Sequence, residues 1–166
     1  MRNSYIFFSL VLYTSLINAS GFWSVVPIVI VDSLKNPIKC GYRYESPGEE
    51  IVLKLEKYVV NHHVITSFSV KNPNIKKTDL IRLQTKSFDT KKNFKNHKHK
   101  KNEYIATANL EKSNEGGKLF YELAIFGGML KINDIEYKLP LKLPREISAL
   151  YLNCAGDLIR PENEIH

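Results

Sequence analysis

The chain has 166 residues, with 24 Lys and Arg against 17 Asp and Glu, a formal charge of +7 and a pI of about 9.3. That length gives one domain with enough chain for a real core and leaves little room for a second. The positive balance favours acidic partners, and two cysteines in the whole chain leave little for a metal centre.

Met1–Ser20 reads as a secretory signal peptide. Arg2 supplies the early positive charge, Tyr5 to Ile17 the apolar core, and Ala19 and Ser20 the small residues. The apolar core falls short of the roughly 20 residues that a spanning helix needs. Cleavage after Ala19 removes residues 1–19 and leaves residues 20–166 as one secreted, extracellular domain. Its formal charge is +6 once Arg2 is gone. The one Asn-x-Ser/Thr sequon, at Asn18, leaves with the signal segment, so no N-glycan is expected. In an oxidising compartment Cys40 and Cys154 are expected to pair, closing a loop of about 115 residues.

Hydrophobic alternation with period two then marks strands in chain order. Val25–Val31 and Ile38–Tyr44 come first, and Ser46-Pro47-Gly48 turns into a strand over 49–60 with Ile51, Leu53 and Leu55 on one face. Residues 64–70 and 104–110 alternate in the same way, and 79–84 suits a short strand or one helical turn. Leu119, Tyr121, Leu123 and Ile125 suggest a strand over 118–126 between two Gly-Gly pairs. Asn133-Asp134 makes a two-residue hairpin, and 147–154 reads as a last strand ending at Cys154. No amphipathic helix stands out. The expectation is an all-β antiparallel sandwich, immunoglobulin-like or transthyretin-like, with about eight strands.

Residues 86–101, KSFDTKKNFKNHKHKK, break the pattern. They carry seven lysines and one acid, Asp89, and read as a long, exposed, flexible basic loop inserted between strands. Lys86, Lys91, Lys92, Lys95, Lys98, Lys100 and Lys101 are the candidate binding residues, with His97 and His99 among them and Phe88 and Phe94 free to touch a lipid or a base. Such a cluster captures a sulfated glycan, an anionic membrane surface or an acidic protein by releasing counterions, with strong salt dependence.

Other chemistry finds little support. His97-x-His99 and the adjacent His62-His63 supply too few ligands for a closed metal site, so no metal is assigned. No nucleophile elbow, zinc-protease helix motif or phosphate-cradling glycine loop is present, and no catalytic residue or cofactor is expected. The reading is a non-enzymatic binding or effector protein acting through its basic loop. One rival is a carrier holding a small apolar ligand between the sheets, lined by Val25, Ile28, Ile30, Phe120, Ile125 and Phe126. Another is a structural or matrix component.

Three segments carry a family resemblance. Cys40-Gly41, then Pro47-Gly48 and Ile51-Val52-Leu53, resembles the first strand pair of the transthyretin-like secreted proteins of nematodes. Asn114-Glu115-Gly116-Gly117 leading to Phe120, Leu123 and Gly127 is similar to that family's glycine-containing turn, and Leu150–Cys154 to its later strand ending in cysteine. The resemblance implies a secreted β-sandwich that binds or bridges and is not a hydrolase.

Overall fold

Polar residues at alternate positions turn one face of most long strands inward, and the computed structural model follows that rule. It describes residues 22–60, 63–94, 96–109 and 115–158. The signal segment 1–19 and Asn18, with His62, Lys95 and Asn114, lie outside the described residues. Strands β1 (Ser24–Val31), β2 (Pro37–Ser46), β3 (Ile51–Val60), β4 (His63–Lys71), β6 (Asn96–Lys100) and β7 (Glu103–Asn109) form one sheet in the order β1-β2-β3-β4-β7-β6. A second sheet has the order β5-β8-β9, from β5 (Ile81–Gln84), β8 (Met129–Ile132) and β9 (Ile135–Lys138). All pairings are antiparallel, and the fold is mostly β, as the alternation requires.

The inner face of the large sheet is read directly from the register. Tyr42 faces Leu55, and Leu55 faces Phe68, which faces Ala106. All four are fully buried, and Lys54 and Glu56 take the other face of β3. Each such large apolar side chain contributes about 1.5–3 kcal/mol by leaving water. Leu83, Leu130 and Tyr137 of the small sheet join the same core.

Two expected strands are helices. Residues 118–126 belong to α2 (Glu115–Phe126), and 147–154 to α3 (Arg145–Leu158). In α3 the buried residues are Ile147, Tyr151, Cys154, Ala155 and Leu158, a stripe of helical period. In α2 the buried Leu119, Phe120 and Leu123 share one side, and Tyr121, Ile125 and Phe126 stay exposed. Gly127 ends α2 with a left-handed backbone (φ 65°), and its N–H donates to the Leu123 carbonyl at 3.1 Å. Of the segments that carried the family resemblance, the first does form the β2–β3 pair. The other two fall in α2 and α3, apart from Asn114.

Both helices pack on the inner face of the large sheet. The Phe120 and Tyr151 rings stack at 4.7 Å, and Tyr42 meets each edge-on. The Tyr42 hydroxyl donates to the Phe120 carbonyl at 3.0 Å, and burial raises its pKa well above the usual phenol value. Cys40 and Cys154 form the expected disulfide, with a Cα–Cα distance of 5.7 Å. It joins β2 to α3, where a strand had been expected.

One buried carboxylate secures the loop after β5. Glu122 of α2 accepts from the Ser87 N–H at 2.9 Å and from the hydroxyls of Ser87 and Thr85. Burial pushes its carboxyl up, but the hydrogen bonds of Ser87 and Thr85 outweigh this and hold its pKa below the ordinary 4.5. A lowered native pKa stabilises the fold above the ordinary value, and that share is lost as pH falls through the native one. Glu122→Gln is therefore expected to cost about 1–3 kcal/mol at pH 7 and to lack that acid-dependent loss, as read from urea midpoints at neutral pH and near pH 3.

Candidate functional site

The segment 86–101 is folded, which corrects the expectation of a flexible loop. Asp89 caps α1 (Thr90–Asn93) by accepting from the Lys91 N–H at 3.0 Å, and it also pairs with Arg82 of β5. Burial raises the Asp89 carboxyl, while Arg82, the Lys91 N–H and Gln84 lower it further, so its pKa falls below the usual value. Phe88 and Phe94, expected to be exposed, are buried; Phe94 meets Phe88 and Phe68 edge-on. Thr90 is buried too, and its hydroxyl accepts from the Leu83 N–H at 2.9 Å. The apolar and acidic residues of the segment thus point inward and serve as anchors.

The lysines are what remains outside. Lys91 and Lys92 sit on α1, Lys98 and Lys100 on the edge strand β6, and Lys101 in the β6–β7 turn. All five are exposed and make no ion pair among the described residues. Lys98 and Lys100 share the outer face of the sheet, opposite Ile105 and Glu103, with their Cα atoms roughly 7 Å apart. Lys86 stands apart from them. It lies on the loop that Glu122 secures, and its ammonium is 5.4 Å from the Phe126 ring. Lys95 lies outside the described residues.

The histidines of β6 point to the opposite face from its lysines, with His97 exposed and His99 half-buried. The register turns His97 and His99 to the inner face, opposite Ala106 and Tyr104. The Phe94 carbonyl can only accept, so the His97 Nε2 at 2.7 Å donates to it; in the neutral ring Nδ1 then accepts from the Tyr104 hydroxyl. Burial raises the Tyr104 pKa to about 12. Among the described residues no three His, Cys, Asp or Glu side chains come together.

Of the residues named for a cavity between the sheets, Phe120 and Ile125 come together, in a groove between α2 and α3. Val25 faces inward opposite Tyr44, but Ile28 and Ile30 pair with Gly41 and Lys39 on the outer face. Ile125 and Phe126 are exposed on α2. That groove is apolar, with Lys57 of β3 among its lining. The sequence held one signal for it: Lys57 continues the stripe Ile51, Leu53, Leu55, where an apolar residue belongs.

Among the described residues no helix is long and apolar enough to cross a membrane. Compared with protein-family models, curated proteins and solved structures, the chain matches none of them.

Proposed function

We propose that the protein is a secreted, non-enzymatic binding protein that holds a sulfated glycan along the edge formed by α1 and the β6–β7 hairpin. The observation that carries this reading is the set of five exposed lysines on a folded frame, without ion pairs among the described residues. Lysines on an edge strand also guard against sheet-to-sheet aggregation, and Lys98 and Lys100 suffice for that. Guarding gives no account of Lys91, Lys92 and Lys101, which lie off the strand. A glycan fits better than a membrane because 86–101 exposes no large apolar side chain for insertion among its described residues. The disulfide Cys40–Cys154 fits an oxidising compartment and supports secretion.

The test compares two variants of equal charge on a heparin column. One changes Lys91, Lys92, Lys98, Lys100 and Lys101 to Gln; the other changes the exposed Lys35, Lys71, Lys76, Lys77 and Lys138. The first is expected to elute at much lower salt than the wild type, and the second close to it. Equal loss in both would reduce the interaction to net charge and sink the proposal.

A further inference from the structure

Lys57 is a lysine in a core position. It follows Ile51, Leu53 and Leu55 on the inward face of β3 and is only 8% exposed. Its ammonium lies 5.4 Å from the Phe120 ring centroid and 5.9 Å from that of Tyr151. Among the described residues it makes no ion pair. Its neighbour Glu56 points to the outer face and pairs with Lys39 at 3.3 Å. Burial pulls the Lys57 pKa below the usual lysine value. The stem of Lys57 is buried while its ammonium opens on the groove between α2 and α3, where an anion can meet it directly.

The space beside Lys57 is shaped for more than a bare ion. The groove has a volume of about 680 Å³, within the range of roughly 300–1,000 Å³ typical of small-molecule sites. Phe120, Ala124 and Ile125 of α2 form one wall, and Tyr151, Leu152 and Ala155 of α3 the other. Its charged lining residues are Lys57, Lys142 and Arg145, and none is acidic. Apolar walls and exclusively positive charge complement an anionic head on an apolar chain. The groove also explains why Ile125 and Leu152 stand 42% and 65% exposed on facing helices.

We propose that the α2–α3 groove binds a long-chain fatty-acid anion, with its carboxylate on Lys57 and its chain between Phe120, Ile125, Tyr151 and Leu152. This site is independent of the basic edge. Lys142 and Arg145 draw the anion toward the opening, and the rings of Phe120 and Tyr151 hold the Lys57 ammonium in place.

The experiment uses the full, disulfide-bonded secreted chain and a dansyl-labelled undecanoate as the fluorescent probe. Hexadecanoate and hexadecanol compete for it; they share a chain and differ in charge. The wild type is expected to bind hexadecanoate at least about tenfold tighter than hexadecanol. Lys57→Met keeps the length of the side chain over the two rings and is expected to erase that preference. Gly156→Phe supplies a second readout. Gly156 lines the groove and a Cβ there meets nothing within 4 Å, so a Phe side chain at this position is expected to fill the groove and abolish binding of both ligands. The variant lacking the five edge lysines is expected to bind hexadecanoate normally. No probe binding by the wild type, equal affinity for the two competitors, or a preference that survives Lys57→Met would each overturn the proposal. Binding unaffected by Gly156→Phe would do so as well.

Discussion

The double variant Cys40→Ser/Cys154→Ser is expected to lose about 4–5 kcal/mol of stability, the largest loss from any pair of small changes in this chain. The bridge spans 114 positions, so the unfolded chain it constrains is nearly the whole described fold. It also fastens α3 to β2, and α3 packs on β1, β2 and β3. Without it, the buried residues that keep α3 on the sheet are Ile147, Tyr151, Ala155 and Leu158. A urea titration under oxidising conditions, beside the wild type, reads the loss as a lower midpoint. A shift worth less than about 1 kcal/mol would mean that α3 docks without help from the bridge and that the unfolded chain is already compact.

Gly41→Ala should be nearly as damaging for a different reason. Gly41 lies mid-strand between Ile28 of β1 and Glu56 of β3. A Cβ there would collide with the Leu55 carbonyl oxygen and sit 3.0 Å from the Glu56 Cα. Both are backbone atoms, so no side-chain rotation relieves the contact; β2 and β3 must separate. The expected cost is about 3 kcal/mol or more, at the top of the range for overpacking. Gly48→Ala is the control. Nothing lies within 4 Å of a Cβ at Gly48, and a change below about 1 kcal/mol is expected there. A Gly41→Ala protein as stable as the wild type would contradict the close approach of β2 and β3.

Five strands of the large sheet, β1 to β4 and β7, were legible in the sequence, and β6 was not, being read as part of a loop. In β3, Lys54 and Glu56 alternate with Ile51, Leu53 and Leu55, and only period two fits. α2 has no such contrast. Tyr121, Ile125 and Phe126 are apolar yet exposed, so the run fits a strand or a helix equally well, and β-favouring aromatics tip it toward a strand. In α3 the helical stripe is present, but a strand over 147–154 stops before Ala155 and Leu158, the residues that complete it.

The basic segment shows a similar division. Its described lysines were legible as an exposed cationic surface, because like charges repel and none can be buried cheaply. Its folding was not, since charge density hides the anchors. Phe88, Asp89, Thr90 and Phe94 carry the local signal, a helix cap flanked by two aromatic residues. The surroundings of Lys57 had no local signal at all beyond its phase in β3. Phe120 and Tyr151 lie far along the chain, and only the packing of both helices on the sheet brings them to it.

The salt dependence of binding tests the glycan proposal most directly. Affinity for a sulfated heparin oligosaccharide, measured across a range of sodium chloride, gives a slope of log K against log salt that counts the cations engaged. Replacing the five edge lysines with Gln is expected to reduce that slope by roughly 3–4, while the equal-charge control variant keeps it near the wild-type value. A slope that falls equally in both variants would contradict a binding edge on α1 and the β6–β7 hairpin.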